Sequence, residues 1–304
     1  MTKTKTETEN ANGARAGLLQ VPGAELYYEV RGSGPLLLIA QSGEGDAGRS
    51  VDLVDRLAED HTVVTYDRRG LSRSALPPGR GVTMEEHADD VHRLLAELTD
   101  EPAVMLGLSL GASIGLHLAV RHPGQLSVLV AHEPVTPRLL PAGERSRHER
   151  ELREIQERYR RDGLLPALGE VARVLGIDPA AQDREPGLTP QPGLSERAAD
   201  FDFFLTRDLT AIVEDTFDPA ELPRPAGPAG AGAGPRIVPV TGRTTPRTVF
   251  DQRCAEELAA LLGTQTAEFP GGHNGNLTHP AAWATRLREV LAEDPRRAEE
   301  VDGG

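Results

Sequence analysis

A serine between two glycines, Gly107-Leu108-Ser109-Leu110-Gly111, is the stretch of this chain best suited to do chemistry. It follows an apolar run, Ala103 to Leu108, that reads as a strand. It leads into Leu110 to His122, whose Ala, Gly and Leu content suits a helix. A serine in a sharp strand-to-helix turn needs flanking glycines, because a Cβ at either would collide with the neighbouring strand or helix. The turn exposes its hydroxyl at the carboxyl edge of a sheet and points the first N–H groups of the helix at it. A serine hydroxyl is a weak nucleophile unless a neutral base takes its proton, so the chemistry expected is nucleophilic attack on a carbonyl with an imidazole as partner.

The elements that would position such a serine alternate along the chain. Ala24 to Arg31 alternates in character, Pro35 to Ala40 is continuously apolar, and His61 to Tyr66 is a third strand. A helix lies between the last two, near Val51 to Ala58. Thr83-Met84-Glu85-Glu86 is a capping box opening a helix through Leu98, with Val91, Leu94, Leu95 and Leu98 on one face. Strands follow at Leu126 to Ala131, Arg236 to Thr241 and Thr266 to Phe269, with helices from Phe250 to Leu262 and from Pro280 to about Leu291. This alternation predicts an α/β fold with a parallel sheet covered on both faces and ligands at the carboxyl ends of its strands.

Between residues 135 and 222 the alternation stops and only helical segments remain, which predicts an inserted cap. Phe201, Phe203, Phe204 and Leu205 are placed to face the sheet, with Phe204 as a substrate wall or a packing residue. The Pro/Gly/Ala stretch 223–235 reads as a linker, and 1–16 and 294–304 as polar disordered tails. The main domain is expected from 17–134 and 236–293.

Composition excludes several kinds of function. A formal net charge of −14 leaves no basic footprint for nucleic acid or an anionic membrane. The only lysines are Lys3 and Lys5, both in the polar tail, which removes the P-loop, Schiff-base chemistry and a Ser-Lys dyad. The nine histidines lack metal-binding spacing, and the single cysteine, Cys254, lies in an ordinary helical setting, so neither a metal nor a disulfide is expected. With no apolar span or signal-peptide centre, the expected location is the cytoplasm. No cofactor is called for, and a homodimer stays open.

The elbow at Ser109, the turn Tyr66-Asp67-Arg68-Arg69-Gly70-Leu71-Ser72-Arg73-Ser74 and the late Pro270-Gly271-Gly272-His273 together resemble the α/β-hydrolase superfamily over roughly Leu18 to Leu291. The resemblance implies a mostly parallel sheet flanked by helices, a helical cap, and a triad in the chain order Ser, acid, His. His273, in a glycine-rich loop after the last strand, matches the family's base, with His279 as its rival. His61, His87, His92, His117, His122 and His148 read as surface or packing residues.

The acid departs from the family's commonest pattern. The stretch after Arg236 to Thr241 has no carboxylate until Asp251, ten residues on and in a helix, so Asp251 is expected to matter little. Glu133, 24 residues after Ser109 and at the end of the strand beside the elbow strand, can reach the same imidazole. The fungal zearalenone lactonases are similar in placing a glutamate after the sixth strand. His132 is expected to point away from Glu133, and Asp67 to be a structural turn residue.

The oxyanion hole is expected from the N–H groups of Leu110 and Gly43. The loop Gln41-Ser42-Gly43-Glu44-Gly45-Asp46 stands where the family often has His-Gly, so Ser42 and Glu44 are alternatives to Gly43, and Ser42 is a further candidate for substrate contact. The implied activity is hydrolysis of an ester or lactone without cofactor or metal. Carbon–carbon bond hydrolysis and a ligand receptor on the same fold, as in the gibberellin and strigolactone receptors, are the alternatives.

Overall fold

The computed structural model describes residues 8–9, 13–178, 180, 183–223 and 234–293. β1 (Thr8–Glu9), β2 (Arg15–Val21) and β3 (Ala24–Arg31) form an antiparallel edge. β4 (Leu36–Ala40), α1 (Val51–Leu57), β5 (Thr62–Tyr66), α2 (Met84–Leu98), β6 (Ala103–Leu108), α3 (Leu110–Arg121) and β7 (Leu126–His132) then alternate. Four helices follow: α4 (Ala142–Asp162), α5 (Leu164–Val174), α6 (Ala198–Phe203) and α7 (Leu209–Val213), the last two joined by a π-turn at Phe204–Asp208. The chain closes with β8 (Arg236–Gly242), α8 (Phe250–Leu262), β9 (Ala267–Phe269), α9 (Gly275–Thr278) and α10 (Pro280–Ala292).

Among the described residues nine strands join one sheet in the order β1-β2-β3-β5-β4-β6-β7-β8-β9. Pairing is antiparallel up to β3 against β5 and parallel from there on. The central strands are apolar on both sides because both faces are covered. Leu38 and Met105 pack in the layer that holds Val91 of α2, Ile114 of α3 and Leu258 of α8. Their neighbours Leu37, Ile39 and Leu106 pack in the other layer with Leu53 of α1 and Trp283 and Leu287 of α10. The Thr83 side chain caps α2 by accepting from the Glu86 N–H at 3.2 Å.

One boundary is corrected. The polar tail expected over 1–16 reaches into the sheet, because Thr8–Glu9 pairs as β1, β2 starts at Arg15, and Ala14 and Ala16 are buried. Small apolar residues set between polar ones suffice for a strand once β3 offers a partner, as in the pairing of Ala16 with Glu29. The tail from 294 and most of the Pro/Gly/Ala linker lie outside the described residues. Among the described residues no helix is long and apolar enough to cross a membrane.

The glycines of the elbow are fixed by close approach. A Cβ at Gly107 would stand 2.6 Å from the Ala112 Cα, and one at Gly111 would run into the Ala40 carbonyl oxygen. Backbone cannot rotate away as a side chain can, so Gly111→Ala should lower unfolding stability by about 1–3 kcal/mol. Urea denaturation of the two proteins measures it, and an unchanged midpoint would show that β4 and α3 are free to separate.

Candidate active site

Ser109 joins β6 to α3 with φ 54° and ψ −113°, a conformation L-residues rarely adopt. Hydrogen bonds hold it there: its N–H donates to the His132 carbonyl at 2.9 Å, and its carbonyl accepts from the Ala112 N–H at 3.0 Å. Glu133, just after the adjacent strand β7, is also left-handed, with φ 44°, and its N–H donates to the Val240 carbonyl at 3.0 Å. Backbone strain of this kind costs roughly 1–3 kcal/mol per residue and persists where the surrounding structure enforces it. Here it falls on two of the three residues expected to form a triad.

The third residue, His273, lies in the loop after β9. Its Nδ1 is 2.7 Å from Oε2 of Glu133, and both side chains are buried. Oε1 of Glu133 accepts from the Gly242 N–H at 2.7 Å. Burial alone would raise the Glu133 carboxyl, but the positive charge that the neighbouring His132 or His273 carries when protonated, together with the hydrogen bond from His273, holds it well below the usual carboxylate range. Glu133 is therefore an ionised carboxylate on Nδ1, which leaves Nε2 of His273 as the nitrogen available to a nucleophile.

Two expectations about neighbouring residues are corrected. Asp251 does lie in a helix, yet its Oδ2 is 2.6 Å from the same Nδ1 of His273 and the residue is fully buried. The loop after β8 is tied to the loop after β9, with the Thr244 N–H donating to the Gly271 carbonyl at 3.0 Å, and α8 follows at Phe250. Distance along the chain concealed this; the sign available was an acidic residue in the first turn of a helix that follows a parallel strand. His132 does not point clear of Glu133 either: its Nε2 is 3.8 Å from Oε2, while its ring meets Trp283 edge-on at 4.9 Å. The left-handed backbone at Glu133 breaks strand alternation, so the two side chains are not on opposite faces. Burial pushes the His132 pKa down to about 4 against the opposing pull of Glu133, which keeps the ring neutral.

The expected oxyanion loop is held from behind. Buried Arg68 donates to the carbonyls of Gln41 at 3.3 Å, Ser42 at 2.9 Å and Gly43. In a trans peptide the N–H opposes the carbonyl, so the Gly43 N–H faces away from Arg68. The same guanidinium is 3.0 Å from Asp208 in the π-turn, which also contacts His87 at 3.1 Å. Phe204, from that π-turn, packs where a Cβ on Gly43 would be. The inserted helices thus grip the loop twice, through Asp208 and through Phe204. The other oxyanion candidate, Leu110, opens α3, and the first N–H of a helix has no partner within it. The Glu44 side chain pairs with Arg197 at 2.9 Å and Arg49 at 3.2 Å.

Comparison with known proteins agrees with this architecture. A family profile described as the alpha/beta hydrolase fold matches residues 35–159. The uncharacterised hydrolase YraK of Bacillus subtilis (strain 168) is 35% identical over 281 residues, covering 92% of this chain and 97% of that protein. The chain belongs to the α/β-hydrolase superfamily. Solved structures share the fold at lower identity. A candidate epoxide hydrolase of Pseudomonas aeruginosa matches with TM-score 0.66 and 21% identity, covering 93% of this chain and 96% of that one. The enol-lactonase of Burkholderia xenovorans LB400 matches with TM-score 0.62 and 19% identity, covering 91% and 100%.

In this α/β-hydrolase a cavity of about 580 Å³ opens beside His273. Its lining includes Gly272, His273 and Asn274 from the histidine loop, and Ile177, Leu188 and Gln191 from the segment between α5 and α6. Ser109, Leu110, Gly43, Phe204 and Ser42 are not among its described lining residues. His279 is turned to its own loop, with Nδ1 2.8 Å from the Thr278 hydroxyl and Nε2 3.4 Å from Asp183. Asp67 is buried as a turn residue, accepting from the Ala47 N–H at 2.8 Å and pairing with Arg73 at 2.7 Å. Cys254 is fully buried and burial pushes its thiol up, so it is no activated nucleophile.

Among the described residues two groups of side chains could offer ligands to a metal: Glu85, His117 and Asp215, and Glu133, Asp251 and His273. In the second group the carboxylates stand 2.7 Å and 2.6 Å from Nδ1, which are hydrogen-bond lengths. An ion bound at about 2 Å from each ligand would have to push them apart.

Proposed function

We propose that this hydrolase cleaves an ester or lactone through an acyl-enzyme formed on Ser109. The observation that carries the reading is the buried 2.7 Å contact between His273 Nδ1 and Glu133, whose strand lies beside the one that ends at the strained serine. Ser109 Oγ attacks the carbonyl carbon while Nε2 of His273 takes the hydroxyl proton, and Glu133 stabilises the imidazolium. The N–H groups of Leu110 and Gly43 receive the negative charge on the carbonyl oxygen. The imidazolium then protonates the leaving alkoxide. Water, deprotonated by His273, releases the acid and restores the serine.

An oxyanion hole is useful only where a carbonyl oxygen gains charge, which favours acyl transfer over attack on an sp³ carbon. A serine at the elbow argues the same way, since opening an epoxide by a covalent route calls for a carboxylate nucleophile there. The substrate in this reading is a small molecule; a nucleic-acid or membrane partner is disfavoured by the charge of −14.

A panel of aryl esters, lactones of two ring sizes, an epoxide and an acyl diketone tests the reading. Turnover of esters or lactones, with the epoxide inert, is the expected outcome. Turnover of the diketone alone would make it a carbon–carbon bond hydrolase, and tight binding without turnover would make it a receptor.

A further inference from the structure

We propose that Asp251 acts as a neutral carboxylic acid whose O–H donates a hydrogen bond to Glu133 and so keeps Glu133 the only charged partner of His273. The inference rests on the serine-hydrolase reading above, and Asp251 in it is a positioning residue.

Two carboxyl groups meet one ring nitrogen: Asp251 Oδ2 at 2.6 Å and Glu133 Oε2 at 2.7 Å from Nδ1 of His273. Nδ1 carries a single N–H. It is aligned on Glu133, with hydrogen-bond geometry, and neither oxygen of Asp251 has an aligned partner among the described residues. Glu133 also accepts the Gly242 N–H, which favours its charged form. Asp251 has no such donor. As an ionised group it would be a buried acceptor facing another acceptor; supplied with a proton, it becomes a donor within reach of Glu133.

The surroundings favour that proton. Burial first, then the Glu133 charge, raise the Asp251 carboxyl to about 7, against the opposing pull of His273. The titratable groups around it are Glu133 from the end of β7, His273 from the loop after β9 and the buried thiol of Cys254 in α8 itself. His132, behind Glu133, is neutral.

The consequence concerns the base. Burial alone would lower the His273 pKa, but charges on both Asp251 and Glu133 would override it and hold the ring protonated. A protonated imidazole cannot take the proton of Ser109. With Asp251 neutral, His273 rests as a free base and one carboxylate stands ready for the imidazolium. Asp251 keeps its proton through the cycle, so no further donor or acceptor is needed.

Infrared difference spectroscopy at neutral pH, wild type minus Asp251→Asn, tests the protonation state. We expect the carbonyl stretch of a buried protonated carboxyl group in the wild type and its loss in the variant. Because this band does not depend on turnover, it should persist in Ser109→Ala; that keeps the fate of Asp251 separate from the fate of the nucleophile assignment.

Kinetics on one aryl ester provide the second arm. Asp251→Leu should lower kcat by about 10- to 100-fold with KM little changed, as when an outer partner orienting a functional histidine is lost. Asp251→Asn, whose amide still donates toward Glu133, should recover most of that loss. Absence of the band, or a loss in Asp251→Asn as large as in Asp251→Leu, would overturn the proposal and make Asp251 a charged partner of the imidazole.

Discussion

Ser109→Ala should lower kcat for ester hydrolysis by roughly 10⁶-fold, the scale seen when the nucleophile of a serine triad is removed. KM should move little, since the hydroxyl contributes to the transition state far more than to ground-state binding. No nearby group can take over: the thiol of Cys254 is buried with its Sγ on the Thr136 carbonyl, and Ser113 lies one turn along α3, buried and within hydrogen-bond distance of the Ser109 carbonyl. The Ser109 side chain makes no capping hydrogen bond to α3, so its truncation removes no helix contact and circular dichroism should show an unchanged fold. Substantial remaining activity would mean that water attacks the carbonyl directly, with His273 as its base.

Glu133→Gln should cost roughly 10³- to 10⁴-fold in kcat, the penalty expected when the imidazole loses its negative partner and its correct tautomer. The second effect follows from the hydrogen bonds. The Gly242 N–H donates to Oε1 of Glu133, so the amide oxygen of a glutamine must take that place. Its NH₂ group then faces Nδ1 of His273, which has to accept, and the ring proton moves to Nε2. A ring protonated at Nε2 cannot receive the proton of Ser109. The measurement is kcat on one aryl ester with folding checked in parallel. Near-normal activity in Glu133→Gln beside a large loss in Asp251→Asn would transfer the acid role to Asp251.

How much of this was legible in the sequence depended on whether the cause was local. The strand, elbow and helix around Ser109 follow from two glycines and an apolar run, and the structure has β6 and α3 on either side of that residue. His273 and Glu133 were legible because each stands at the carboxyl end of a parallel strand or in the loop beyond it, where topology alone brings side chains together. Asp251 was not, since its place depends on the path of the loop after β8, which is held to the loop after β9 at Gly271.

Arg68 was visible as part of a turn motif, but its grip on the Gln41 to Gly43 carbonyls and on Asp208 joins three distant segments that no spacing rule connects. His132 was misplaced because alternation was extended through Glu133, where a positive φ interrupts it. The start of β2 was missed for a related reason: a short polar-flanked strand is stabilised by its neighbour rather than by its own pattern.

The central claim is that Ser109 is an activated nucleophile, and covalent labelling addresses it most directly. Intact mass after treatment with a fluorophosphonate, followed by peptide mapping, should show one adduct per chain, on Ser109, and none in Ser109→Ala. An adduct that persists in Ser109→Ala, or an unmodified wild type, would contradict the account.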